Sequence, residues 1–256
     1  MVKRSSFELL FFMCILAPTN FKTMSSNEEI ERQYKEAIEL VDLRENRTGE
    51  YILNLLIEQA FTIFSNKLGF GGIKAENEFS FQFEFGSILK ALGQLYEFRV
   101  EDQFHLEFES GFLFEEDYSR NKSNKGRIDL FINYFFNAKL TKVAIEIKFF
   151  KRENNREPNN RYDAYKDILK LEAYKRQGVE MCYFILITDH DHYVTKQKYS
   201  DNTKDFDLGH GKAYKANTVL SYRTNNPNYP DMVLEGDYSF NWQKMAGNYY
   251  GLLLRI

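Results

Sequence analysis

The run from Gly126 to Lys148 reads GRIDLFINYFFNAKLTKVAIEIK. Two apolar stretches flank Asn137-Ala138-Lys139, a turn-forming segment, so the pattern predicts a β-hairpin. Successive strand side chains point to opposite faces. In VAIEIKF, Val143, Ile145, Ile147 and Phe149 share one face, while Ala144, Glu146 and Lys148 share the other. In RIDLFI, Ile128, Leu130 and Ile132 share a face and Asp129 lies opposite. The expectation is that Asp129, Glu146 and Lys148 project on one side of the sheet. A slip of one residue in the hairpin would turn every one of these side chains over.

Two carboxylates supply hard oxygen ligands for a divalent cation, and an adjacent lysine supplies a positive point charge. That set suits cleavage of a phosphodiester. The pattern resembles the PD-(D/E)xK nuclease superfamily, with Asp129 as the first acid and Glu146-Ile147-Lys148 as the ExK. Sixteen residues separate the two acids, and Ile128 stands where the motif name carries Pro. Glu146-Ile147-Lys148 is the only acid-x-Lys in the chain, and it falls on the most β-like segment.

The resemblance implies an α/β fold with a restriction-endonuclease-like core, a central mixed β-sheet flanked by helices. It implies Mg²⁺-dependent hydrolysis of nucleic acid, with Mn²⁺ able to substitute, by a DNA endonuclease of restriction or phage-defence type. Asp129, Glu146, the carbonyl of Ile147 and Glu78 are the implied metal ligands. Lys148 is the implied electrostatic group, and a homodimer is the implied state for cutting a duplex. The rival expectation is a catalytically inactive protein on the same fold, acting as a nucleic-acid-binding or protein-interaction module. The intact Asp129, Glu146 and Lys148 argue against such decay.

Upstream, Ser26-Asn27-Glu28-Glu29 is a capping-box pattern that opens a helix to about residue 43, with Ile30, Tyr34, Ile38 and Val41 on one side. A second helix spans 49 to 68 and places Tyr51, Leu55, Ile57, Phe61 and Phe64 on its apolar side, ending at Gly69. Residues 77 to 96 begin with strand-like alternation. Glu78, Gln82, Phe85, Leu89 and Leu92 nevertheless form one stripe at helical spacing, so a helix is predicted. In the superfamily a helix before the hairpin often gives the site a Glu; Glu78 heads this stripe and Glu84 lies nearer its edge. Residues 104 to 110 read as a strand whose Glu107 is expected on a solvated face rather than behind the metal ligands.

The polar segments around the hairpin carry Arg120, Lys122 and Lys125 before it and Lys151, Arg152, Arg156 and Arg161 after it, seven cations that could meet phosphates. A helix is expected over 162–177 and a strand buried on both faces over Met181 to Asp189. Asp189-His190-Asp191-His192 reads as a turn more than as a metal cluster. Late strands are expected in GDYSFNW and YYGLLLRI, where Trp242, Tyr249 and Tyr250 could stack on bases, though core packing is the commoner use.

Hydrophobic residues make up 43 % of the chain, which supports a sizeable core, and the net charge of −3 excludes a strongly basic, wrapping nucleic-acid binder. The two cysteines, Cys14 and Cys182, form no disulfide framework or zinc spacing, so a reducing cytoplasm is expected. Residues 1–23 have a basic start and a short apolar run that looks like a weak signal or an over-extended start, with Met24 opening the natural chain. The expected organisation is one domain over 24–256: a helical lead-in to 75, a catalytic core over 76–195 and C-terminal strands over 196–256.

Overall fold

The computed structural model describes residues 47–74, 76–114, 125–154, 156–195, 199–223 and 229–256. The chain divides into two compact units, Met1–Thr48 and Gly49–Ile256, and every element below belongs to the second. The readings made for residues 1–46 and for Arg120 and Lys122 lie outside the described residues.

The fold is α/β with a central mixed sheet of six strands. Helix α1 (Gly49–Gly69) and helix α2 (Glu78–Gln94) come first, followed by strands β1 (Gln103–Leu113), β2 (Lys125–Phe136) and β3 (Lys139–Phe150). Helix α3 (Glu157–Arg176) then leads to β4 (Met181–Thr188). Short strands β5 (Ala213–Tyr214), β6 (Val219–Leu220), β7 (Met232–Val233), β8 (Tyr238–Ser239) and β9 (Gln243–Lys244) precede β10 (Tyr250–Arg255). The main sheet runs β1-β2-β3-β4-β10-β9. All neighbours are antiparallel except β3 and β4, which are parallel and joined through α3.

Helix wins over strand at 78–94 because its N-terminus is closed by side chains. Asn77 accepts the Ser80 N–H at 2.8 Å, and Ser80 Oγ accepts the Asn77 N–H at 3.0 Å. This is a capping box with Ser in place of the usual Glu or Gln. Gln82, Phe85 and Leu89 are buried as the stripe requires. Gly86 and Gly93 let the helix lie against β1, since a Cβ at Gly93 would meet the Phe104 ring at 2.4 Å. In α1, Ile57, Phe61 and Phe64 are buried as expected, but Tyr51 is exposed, because the apolar face centres on Leu53, Leu56 and Ala60. Of GDYSFNW only Tyr238 and Ser239 pair as strand, while β10 takes most of YYGLLLRI.

Two apolar clusters sandwich the sheet. One joins α1 and α2 to Leu130, Ile132, Ile145, Ile147 and Ile185. The other joins α3 to Ala144, Phe184, Leu186 and the C-terminal segment around Phe206 and Phe240. Each fully buried Leu, Ile or Phe contributes about 1.5–3 kcal/mol of transfer free energy. Every residue of β4 is buried, as its unbroken apolar run predicts. Among the described residues no helix is long and apolar enough to cross a membrane.

The hairpin turn sets the register on which the site depends. Phe136 pairs with Lys139, so Asn137 and Ala138 alone make the connection. Both have positive φ, 49° and 59°, the backbone of a two-residue turn that matches strand twist. Left-handed backbone costs an alanine about 1–2 kcal/mol relative to the right-handed form, a penalty glycine escapes. Ala138→Gly is therefore expected to stabilise the protein by about 1 kcal/mol, read as a higher urea midpoint at unchanged slope. A lower midpoint would show that this turn is not the one that holds the register.

Candidate active site

The β2–β3 ladder stops at Leu130↔Ile145. Continued by one residue, its register sets Asp129 opposite Glu146. Two residues past the last pair, the Ile147 N–H donates to Asp129 Oδ2 at 2.7 Å. A side chain thus takes the bond that an unbroken ladder would give to backbone. The alternation of β2 also breaks here. Leu130 and Ile132 pack under α1 and α2, but Ile128 packs into the cluster of α3, which corrects the expectation that all three share a face.

Asp129 and Glu146 are 9 % and 1 % exposed. Burial drives the Asp129 carboxyl up to about 7 against the opposing Ile147 N–H and Lys148. Burial, then the neighbouring Asp129, holds Glu146 well above the usual carboxylate range. Helix α3 answers with charge of its own. Lys170 Nζ lies 2.8 Å from Glu146 Oε1, and Asp167 Oδ2 lies 2.9 Å from Lys148 Nζ. Asp167 and Lys170 stand one turn apart, so each pairs with the oppositely charged member of Glu146-x-Lys148. Glu146 Oε1 and Asp167 Oδ2 are buried, each meeting a lysine ammonium at ion-pair distance. Lys170 also donates to the Arg127 carbonyl, where Tyr174 Oη makes a second bond at 3.3 Å.

Helix α2 reaches the same group through Glu78, whose Oε1 accepts from Lys148 Nζ at 3.1 Å. Burial acts against the Lys148 charge, but Asp167 and Glu78 outweigh it and raise its pKa. Lys148 is therefore held as an ammonium, as two flanking acids require. A cleft of about 480 Å³ opens beside it, walled by Glu78, Lys148, Lys151, Arg156, Lys166 and Asp167. Asp129 and Glu146 are not in that wall.

The structure thus brings Asp129, Glu146 and Lys148 together, while Glu78 reaches the lysine alone. Ile147 enters through its N–H. Glu84 does not share the Lys148 contact, and Glu107 is bonded to His105 and Ser110 on the edge strand. Asp167 and Lys170 were missed by the sequence reading. Their signal was the spacing Asp-x-x-Lys within α3, which puts an acid and a base on one helical face.

The proposed ring of cations is smaller than expected. Arg161 belongs to α3, which starts earlier than 162, and is 1 % exposed with its guanidinium 3.8 Å from the centre of the Tyr199 ring. Lys151 pairs with Glu153, Arg152 with Asp191 at 2.8 Å and Arg156 with Asp163 at 3.8 Å. Of these, Lys151 and Arg156 border the cleft. Asp189 and Asp191 receive Arg152, and His190 caps a turn of 3-10 helix over Asp191–Tyr193, in keeping with the turn reading. Trp242 is buried, its indole N–H bonded to the Leu208 carbonyl at 2.6 Å, so it is a core residue and not a stacking platform. Tyr250 lies under Lys244 and Tyr249 against Phe149.

Among the described residues no group of three or more His, Cys, Asp or Glu side chains is arranged to hold a metal ion. Comparison with family models, curated proteins and solved structures finds no match to this chain.

The raised Asp129 has a measurable consequence. The folded carboxyl keeps its proton to about pH 7, whereas the unfolded one releases it near 3.8. Between those values the folded state holds more protons, so stability falls as pH rises. Without divalent cations, the wild type is expected to lose on the order of 2–4 kcal/mol between pH 4 and 7 through this group. Asp129→Asn, which cannot ionise, should flatten that part of the curve; equal slopes in both proteins would exclude a strained Asp129.

Proposed function

We propose that this chain hydrolyses phosphodiester bonds of nucleic acid, DNA in the first instance, in a Mg²⁺-dependent reaction on a restriction-endonuclease-like core. The observation that carries the reading is the meeting of Asp129, Glu146 and Lys148 at the break in the β2–β3 ladder, beside an open cleft. The order of elements supports it independently: helix α2, strand β1, hairpin β2–β3, helix α3 and strand β4 follow the order of that core.

The donor set fits Mg²⁺. The four carboxylates Asp129, Glu146, Asp167 and Glu78 face two ammonium groups, Lys148 and Lys170, and a divalent cation would favour the ionised form of Asp129 and Glu146 that burial disfavours. Mg²⁺ commonly takes one or two protein carboxylates and keeps its remaining positions for water and substrate phosphate. Asp129 and Glu146 would meet that need without a third side chain, Glu78 being engaged on Lys148. The chemistry supplied by a bound Mg²⁺ is polarisation of the scissile phosphate and acidification of a water.

The chain's own residues do the rest. Asp129 is oriented by the Ile147 N–H and Glu146 by the Lys170 ammonium. Lys148, held protonated by Asp167 and Glu78, offers positive charge where the phosphate develops negative charge. That state makes it an electrostatic group and leaves proton abstraction to a carboxylate or water. Lys151, Arg156 and Lys166 on the cleft wall suit the phosphates on either side of the cut. A homodimer would place one site on each strand of a duplex. The buried free thiol of Cys182 accords with a reducing cytoplasm.

Asp129→Asn and Lys148→Met are each expected to lower Mg²⁺-dependent plasmid or oligonucleotide cleavage by about 100-fold or more. Circular dichroism should remain that of the folded wild type. Wild-type turnover in either variant rules out the assignment.

A further inference from the structure

Lys170 occupies a position that Lys148 does not. Its ammonium touches an oxygen from each side of the broken ladder, Glu146 Oε1 on β3 and the Arg127 carbonyl on β2. Lys148 instead points between Glu78 and Asp167, at the cleft. Glu146 is 1 % exposed, and Lys170 is the cation that meets it there, away from water. A positive group that bridges oxygens of two strands beside two acids supplies there the charge that a divalent ion would supply.

We propose that Lys170 is the internal counter-cation of this site: in the metal-free protein it holds Glu146 in place, and it withdraws when a divalent cation loads. The proposal rests on the nuclease reading above, and it assigns α3 the task of setting metal affinity. The group is built for withdrawal. A lysine ammonium rides on a flexible four-carbon stem. The Tyr174 ring, 5.8 Å from Nζ, is an alternative partner for the displaced charge. The Arg127 carbonyl remains bonded to Tyr174 Oη after Lys170 leaves. In this arrangement the two lysines divide the work, with Lys148 facing substrate and Lys170 guarding the acids as a positioning residue.

The test is titration calorimetry with Mg²⁺ and Mn²⁺ on the full chain, together with melting curves in EDTA and in excess Mn²⁺. The proteins are the wild type, Lys170→Met, Lys170→Gln, Lys170→Arg and the double variant Asp129→Ala/Glu146→Ala. Removing the competing charge is expected to tighten metal binding about tenfold or more in Lys170→Met and Lys170→Gln. Both should melt lower than the wild type in EDTA and recover in Mn²⁺, whereas Lys170→Arg, which keeps the charge, should bind like the wild type. Unchanged or weaker binding in Lys170→Met and Lys170→Gln, with binding in the wild type intact, overturns the counter-cation role and leaves the nuclease reading standing. Should one neutral variant fail to fold even in Mn²⁺, the other decides. Absence of binding in every protein, even with a phosphorothioate oligonucleotide present, overturns both.

Discussion

An ionised carboxylate under a helix needs a positive charge within contact distance, and the middle of this molecule is arranged around that need. Asp129 and Glu146 sit nearly out of water between the sheet and α3. Their proximity raises the energy of both charges beyond what burial alone does. Lys170 and Lys148 lower it, and Asp167 with Glu78 in turn hold Lys148. Take away one partner and the remaining charge is left buried, a change that costs about 3–5 kcal/mol in comparable pairs. The positions of α2, α3 and the hairpin are therefore coupled through charge as well as through packing.

The backbone serves the same end. Where the β2–β3 ladder stops, the Ile147 N–H is turned over to Asp129, so the carboxylate is oriented by a group that cannot move away. The parallel β3–β4 pairing, made possible by α3 as its crossover, keeps Glu146 and Lys148 on a central strand with neighbours on both sides. In such a frame Lys148 and Lys170 reach the site on flexible four-carbon stems.

Much of this was legible in the sequence because alternation in VAIEIKF leaves little freedom: if the isoleucines are inside, Glu146 and Lys148 share the other face. The helical stripe from Glu78 to Leu92 was equally readable, since Asn77 and Ser80 close its N-terminus. Asp167 and Lys170 were not. Helix α3 has an inner stripe of Ala164, Ile168, Leu171 and Tyr174, but Asp167 and Lys170 stand beside it, and their pairing with β3 is a tertiary fact. Arg161 misled for the same reason, a charged residue at the edge of a polar segment that tertiary packing drew inside against Tyr199. Ile128 left its expected face because the ladder breaks beside it, which alternation alone does not reveal.

A purely architectural role for this cluster is a poor account of it. Buried ion pairs contribute little net stability, and apolar replacements of similar volume are often as stable or more so. The sheet already has two extensive apolar clusters, one on each face. A fold that needed only cohesion at this point could extend the α3 cluster across Asp129 and Glu146. It carries instead acids held above their ordinary pKa, lysines held as ammonium groups, and a cleft that reaches Lys148 from one side. Perturbed ionisable groups gathered at a cleft are the mark of a site where charge is used. On the proposed reading the buried acids are the place for a divalent cation, and Lys148, which lines the cleft, is the group that meets a phosphate.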